Sequence, residues 1–287
     1  GNLEFDHADI YTDFQSVQAA VRRLVTLLPR QGLLLVGADS RAALEVSADA
    51  PCSVSTFGLA DSAEWRATEI KPESTETSFA LEHRGVRIAD VKVPLVGEFN
   101  VQNALAAFAV ARTIGIQLST IVDSLTRFAG VKRRLEIRGE ERGVRIYDDF
   151  AHHPTAVRET LVGLRAAFPS KRIWALFEPR SATACRRVFQ EDFAEAFVEA
   201  DEVIIGRVYR VSLPEDERLS EPELAATICA TGVHARHLPA VDDIVRVVVD
   251  EAIDGDLVVV MSNGAFGGIH TRLLQSLADT SSATEGG

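Results

Sequence analysis

From residue 144 onward, short apolar runs alternate with longer amphipathic stretches, and that rhythm leaves few folds open. Runs at 144–148, 173–177, 203–205 and 257–261 read as strands. Apolar residues at helical spacing follow them over 154–168, 187–198, 223–229, 241–252 and 271–277. A strand without polar alternation is buried on both faces. The pattern therefore predicts an α/β domain, with a parallel sheet covered on both sides by helices.

The preceding residues follow a different rhythm. Phe14, Val17, Val21, Leu24 and Leu28 recur at helical spacing, and an apolar run follows at 33–36. Strands are expected at 53–57, 77–82 and 86–93, the last two flanking the turn at His83-Arg84-Gly85, which suggests a hairpin. Amphipathic helices are expected over 100–114 and 119–128. The stretch Ala129-Gly130-Val131-Lys132-Arg133-Arg134 breaks the pattern, so we divide the chain into residues 1–130 and 131–279, with a small, polar and disordered tail at 280–287. The pentapeptide Arg-Gly-Val-Arg-Ile occurs at 84–88 and at 142–146. Without a fixed period beside it, it reads as two similar hairpins.

Composition excludes several classes. Thirty basic against forty-two acidic side chains leave a net charge of −12, which disfavours nucleic acid and anionic membrane as partners. No apolar run reaches the roughly 18–20 residues of a membrane span. Three scattered cysteines without a CxxC pair point to a reducing, cytoplasmic setting. Few aromatics and one Met leave no sticky stripe, so a monomer is expected. The N-terminus shows no signal peptide and no initiating Met, which reads as a start within a longer protein.

Ligands of an open parallel sheet bind at the carboxyl ends of its strands. Three strand-to-helix junctions carry unusual polar residues there. The first, Asp148-Asp149-Phe150-Ala151-His152-His153-Pro154, places two carboxylates and two imidazoles before a helix that starts at a proline. A polar loop capping a helix explains it equally well. The second, Glu178-Pro179-Arg180-Ser181, offers a planar guanidinium for a carboxylate or phosphate; a surface ion pair is the commoner use of a lone Arg. The third, Ser262-Asn263-Gly264-Ala265-Phe266-Gly267-Gly268-Ile269-His270, has glycines whose N–H groups suit an anion, although it is neither GxGxxG nor Walker A. Upstream, Asn100 and Asn103 lie one turn apart on a helix, where N-capping by Asn100 and exposure of Asn103 are the plain alternative. Asn2, Glu4, Asp6 and His7 suit a divalent metal, or are simply a polar terminus.

Taken in order, Asp6-His7, Asn100-Val101-Gln102-Asn103, Gly130-Val131-Lys132-Arg133-Arg134-Leu135-Glu136 and Asp148-Asp149-Phe150-Ala151-His152-His153-Pro154 resemble the motifs of the Mur ligase family across nearly the whole chain. The resemblance implies part of a central ATP-binding domain (a mixed sheet with helices) over 1–130, then a Rossmann-like domain. It implies that His7 holds Mg²⁺, that Asn100 and Asn103 contact the adenine side of ATP, that Arg134 reaches the phosphates, and that Asp149 bonds the ribose. His7, Arg134, His152 and His153 are the candidate catalytic residues. The implied chemistry is amide formation through an acyl phosphate.

The Asp-Asp-x-x-His-His-Pro motif is similar to the branch of the family whose acyl donor is UDP-N-acetylmuramate. The opening Asn-Leu-Glu-Phe-Asp-His-Ala-Asp, Phe-Glu-Pro-Arg-Ser and the Ser262–His270 loop resemble its peptidoglycan-recycling member, which accepts the murein tripeptide L-Ala-γ-D-Glu-meso-diaminopimelate. Arg180, Ser181, Ser262, Asn263, Gly264, Phe266 and His270 would then line the tripeptide pocket. The alternatives are the L-alanine-adding reaction of the same branch, a non-catalytic binding remnant, and a folate-polyglutamating relative. One departure is large: the chain contains no Gly-x-x-Gly-Lys-Thr phosphate loop, and the uridine-nucleotide domain is absent. Without that cradle for the phosphates, the chain alone is expected to be catalytically inactive.

Overall fold

The computed structural model describes residues 1–209 and 212–284, which form two compact units meeting at Ala129/Gly130. The first contains α1 (Phe14–Thr26), β1 (Leu33–Gly37), α2 (Arg41–Ser47), β2 (Ser53–Gly58), β3 (Trp65–Pro72), β4 (Thr77–His83), β5 (Val86–Val93), α3 (Glu98–Thr113) and α4 (Leu118–Thr126). Its sheet runs β1-β2-β3-β4-β5 and is mixed: β1 to β3 are parallel, and β3 to β5 antiparallel. Phe79, Leu81, Val91 and Val93 of the antiparallel half pack beneath Val101, Leu105 and Phe108 of α3. Strand β3 went unforeseen because its outer half, Glu69-Ile70-Lys71, lies at a bulge and breaks the apolar alternation.

The second unit contains β6 (Glu136–Glu141), β7 (Val144–Asp149), α5 (Pro154–Ala167), β8 (Ile173–Phe177), α6 (Gln190–Ala196), β9 (Glu202–Ile205), α7 (Glu221–Ala230), β10 (His234–His237), α8 (Val241–Glu251), β11 (Leu257–Met261) and α9 (Ile269–Thr284). The strand order is β10-β9-β8-β11-β7-β6, parallel except for β6. Every residue of β8 and β11 is buried, as the unbroken apolar runs require. One face carries α8 and α9 through Ile244, Val248, Ile269 and Leu273. On the other, Phe177 meets Phe193 and Phe197 at ring distances of 4.9 and 5.6 Å.

The two copies of Arg-Gly-Val-Arg-Ile both turn hairpins, β4–β5 and β6–β7. Arg84 and Gly85 have φ of 52° and 76°, and Arg142 and Gly143 have 53° and 70°. Positive φ at both central residues is what a type I′ turn needs. Two boundaries differ from expectation. Helix α3 begins at Glu98, capped by Gly97, rather than at Asn100. Helix α9 continues to Thr284, where the sequence predicted a disordered tail from 280; Glu285–Gly287 lie outside the described residues. Thr280 Oγ1 donates to the Ser276 carbonyl at 2.7 Å within that last stretch.

Candidate active site

In the second unit Asp149, Met261 and Phe177 stand side by side at the carboxyl ends of β7, β11 and β8. Strand β11 inserts between β7 and β8, so this is the point where the sheet order turns back, the usual ligand crevice of such sheets. The ladder continues one residue further: Ser262 N donates to the Asp149 carbonyl at 3.1 Å, and Glu178 N to the Met261 carbonyl at 3.1 Å. Three polar loops are thereby brought together.

The loop after β8 and the loop after β11 are tied by charged hydrogen bonds. Ser262 Oγ donates to Glu178 Oε2 at 2.5 Å and accepts from Gly264 N at 2.9 Å. Arg180 Nη1 lies 3.7 Å from Glu178 Oε1, and its guanidinium stacks 3.7 Å from the centroid of the Tyr209 ring. The side chain passes so close over Gly264 that a Cβ there would lie 2.1 Å from Arg180 Nε. Glycine at 264 is therefore a space requirement of Arg180.

On the β7 side, Arg133 occupies the centre. It donates through Nη2 to the carbonyls of Ser262 and Gly264, the latter at 2.8 Å, and through Nε to Asp148 Oδ1 at 3.4 Å. Its Cζ lies 5.0 Å from the Phe150 ring centroid. Asp148 is 3% exposed and also meets Arg138 Nη1 at 3.5 Å and His270 Nε2 at 3.4 Å. That last approach lacks hydrogen-bond angles, leaving His270 Nε2 without a partner. Burial lowers the His270 pKa; Asp148 opposes this, and Arg138 and Arg133 add to it.

Asp149 is 2% exposed, and its oxygens accept from Leu135 N at 2.8 Å and Ala151 N at 2.7 Å. Burial pushes its pKa up against those two N–H groups and the Arg134 charge. Its carboxylate thus braces the 130–135 segment, in which Arg133 and Leu135 hold φ of 60° and 49°. Arg134 is exposed, with its Cζ 5.8 Å from the Phe150 ring centroid. His152 Nδ1 donates to the Phe150 carbonyl at 2.8 Å, which leaves Nε2 as the proton-accepting atom of the neutral ring. His153 caps α5, accepting from Thr155 N at 3.4 Å.

Several expected pocket residues have structural duties here. Ser181 Oγ accepts from Ala184 N at 2.9 Å and closes a turn. Phe266 is 2% exposed and packs in the core against Gly206. The predicted anion cradle is partly spent: Gly264 N serves Ser262, and Gly268 N donates to the Ala265 carbonyl at 2.9 Å. Arg180 and the 263–264 segment remain to meet a ligand, and Asn263 Oδ1 is buried without a hydrogen-bond partner. The sequence reading did not single out Arg133, Asp148, Glu178 or Tyr209. The first three lay inside recognised motifs, whereas Tyr209 sits in a loop with no local signal.

In the first unit, Asn100 is 6% exposed and donates to the Val96 carbonyl at 2.8 Å, so it does not share an open face with the exposed Asn103. His7 is exposed, with Nε2 4.0 Å from Asp6 Oδ2. Among the described residues no three His, Cys, Asp or Glu side chains converge on one point. Glu4, Asp6 and His7 therefore form no three-ligand cluster, although a Mg²⁺ that bridges nucleotide phosphates needs only one or two protein ligands.

Comparison with known proteins places these features in a family. The model of the Mur ligase middle domain matches residues 1–111, and that of the Mur ligase, glutamate ligase domain matches 133–264. The UDP-N-acetylmuramate–L-alanyl-γ-D-glutamyl-meso-2,6-diaminoheptandioate ligase of Escherichia coli is 36% identical over 286 residues, which is 99% of this chain and 60% of that protein. A UDP-N-acetylmuramate–L-alanine ligase of Desulfitobacterium hafniense is 32% identical over 92% of this chain and 58% of its own length. The crystal structure of a murein peptide ligase from Psychrobacter arcticus superposes with a TM-score of 0.66 at 31% identity, over 97% of this chain and 56% of that one. The chain thus spans about three-fifths of the length of the curated relatives it matches. With the middle and ligase domains both matched and their order kept, the chain belongs to the Mur ligase family of ATP-dependent ligases.

Proposed function

We propose that the whole protein joins the carboxyl group of UDP-N-acetylmuramate to the amine of L-Ala-γ-D-Glu-meso-diaminopimelate, with Mg·ATP as phosphoryl donor, in cytoplasmic cell-wall recycling. The carboxylate takes the γ-phosphoryl group with release of ADP. The amine then displaces phosphate and loses a proton.

The seating of Arg180 carries this reading. Stacked on Tyr209, paired with Glu178 and fitted over Gly264, its guanidinium is held in place before any ligand arrives. A fixed, planar donor fork recognises a carboxylate, and the tripeptide presents carboxylates remote from its amine, whereas alanine has only the one beside it. Preorganisation of this kind saves the side-chain ordering cost on binding, about 0.5–1.5 kcal/mol. Arg134, exposed beside Phe150, is the residue for nucleotide phosphates, and His152 Nε2 is the atom to accept the amine proton. The 36% identity to the E. coli tripeptide ligase supports the same substrate. The net charge of −12 disfavours nucleic-acid and anionic membrane partners, and the protein is expected to act as a monomer.

The test is amide formation by the whole protein given UDP-N-acetylmuramate, Mg·ATP and either tripeptide or L-alanine. Product with the tripeptide alone is expected. Product with alanine alone would assign the alanine-adding reaction and remove Arg180 from substrate recognition.

A further inference from the structure

Arg133, the neighbour of Arg134 in the motif, reaches across the sheet edge to residues far away in the chain. One guanidinium holds two main-chain carbonyls of the loop after β11, those of Ser262 and Gly264. It is itself held by Asp148 and by the face of Phe150, both on the β7 side. On the opposite side, the same loop is tied to Glu178 through Ser262 Oγ. The loop therefore hangs between two supports, one ending at Arg133 and the other at Glu178. The segment in suspension includes Asn263, whose Oδ1 is buried without a partner, and Gly264, on which the Arg180 side chain rests.

We infer that Arg133 is a positioning residue for the incoming amine substrate: by holding the Ser262 and Gly264 carbonyls it sets the height of the loop under Arg180 and the aim of Asn263. This rests on the reading of Arg180 as the carboxylate-binding group. The chemistry requires arginine. A lysine reaches one carbonyl as a point charge, but it cannot span two carbonyls and a carboxylate while lying flat on a phenyl ring. Asp148 completes the device. Buried beside Arg133, Arg138 and His270, it fixes the direction from which the guanidinium reaches the loop.

The test uses the whole protein, comparing wild type with Arg133→Lys and Arg133→Met. Steady-state KM is measured for tripeptide, ATP and UDP-N-acetylmuramate, together with kcat. The expected result is a tripeptide KM raised tenfold or more in Arg133→Met and less in Arg133→Lys, with both nucleotide KM values within twofold of wild type. Added ethylguanidinium should lower the tripeptide KM of Arg133→Ala. A raised ATP KM with unchanged tripeptide KM makes Arg133 a nucleotide ligand and overturns the inference. A fall in kcat with every KM unchanged reduces it to a folding residue and overturns it equally. If Arg133→Met fails to fold, Arg133→Lys carries the comparison. If wild type makes no tripeptide product, the substrate reading has failed rather than the loop support. Hydrogen exchange at Gly264 N–H in this chain then decides: faster in Arg133→Lys supports the loop support, and unchanged rejects it.

Discussion

Arg180 lies across Gly264 at a distance no side chain at 264 can share: a Cβ built there falls 2.1 Å from Arg180 Nε and 2.2 Å from Cδ. The clash is with a flexible side chain, not with backbone, so Gly264→Ala should leave the fold standing and move Arg180 off the Tyr209 ring. The expected outcome is an unchanged unfolding midpoint and a tripeptide KM raised about tenfold, equivalent to roughly 1.4 kcal/mol. Substrate kinetics beside a urea titration check both halves. A large loss of stability with an unchanged KM would show that Arg180 swings aside without consequence for binding.

The place of the candidate site was legible, though not its role, where it follows from local spacing. Arg180 and the glycine-rich loop could be assigned to the carboxyl edge of the parallel sheet because polar residues at the end of an apolar run mark it. What each side chain does there was not legible. Ser181 and His153 turn out to satisfy backbone N–H groups, and Phe266 fills the core, because a loop's own amides compete for the groups a ligand would use. The bonds from Arg133 to Ser262 and Gly264 join residues about 130 positions apart, a pairing no sequence window contains. In the fold, β8 and β11 announced themselves by continuous burial. Strand β10, His234-Ala235-Arg236-His237, did not, since an edge strand carries its charges outward to Glu202 and Glu251.

Asp149 tests whether a motif carboxylate is also a structural one. Both its oxygens accept backbone N–H groups from segments that have no other support at those atoms. Asp149→Ala leaves one buried donor (Ala151 N) unmet, at about 1–3 kcal/mol, and one half-buried donor (Leu135 N) that water can partly serve, less what is regained by removing a buried charge. A net loss of roughly 2 kcal/mol in the second unit is expected from urea unfolding with an unchanged m-value. The pH dependence has a definite sign. Burial raises the folded pKa, so the stability contributed by Asp149 is full below the unfolded carboxylate pKa and declines as pH rises through the raised value. Asp149→Asn should abolish that decline; an unaltered profile would mean the folded carboxyl titrates as it does unfolded.

His270 predicts the opposite slope. Its pKa is lowered chiefly by burial, and the pull of Asp148 is blunted by Arg138 and Arg133 close by. The unfolded chain therefore binds a proton that the folded imidazole refuses. Stability from this residue is complete above the ordinary histidine pKa of about 6.5 and falls as pH drops below it. Thermal melts from neutral to mildly acid pH should show this fall in wild type and a flatter curve in His270→Gln. Equal slopes in the two proteins would place the proton on His270 in the folded state, paired with Asp148.

The two hairpins give a paired prediction, because the same pentapeptide turns both. Gly85 and Gly143 each hold a positive φ, of 76° and 70°, which an alanine adopts at a cost of about 1–2 kcal/mol. Around Gly85 a Cβ meets nothing within 4 Å, whereas at Gly143 it would lie 1.8 Å from Asp254 Oδ1 and 3.4 Å from the Asp254 backbone. Gly143 is further tied to this corner by its carbonyl, which accepts from Gly255 N at 3.1 Å. Gly85→Ala should therefore cost only the turn, and Gly143→Ala the turn plus displacement of Asp254. The chain's two tryptophans, Trp65 and Trp174, fall one in each unit, so single-tryptophan variants report each unit's unfolding separately. The larger shift is expected in the Trp174 signal for Gly143→Ala. Equal losses in the two hairpins would mean that Asp254 rotates away freely and that backbone conformation alone sets the cost.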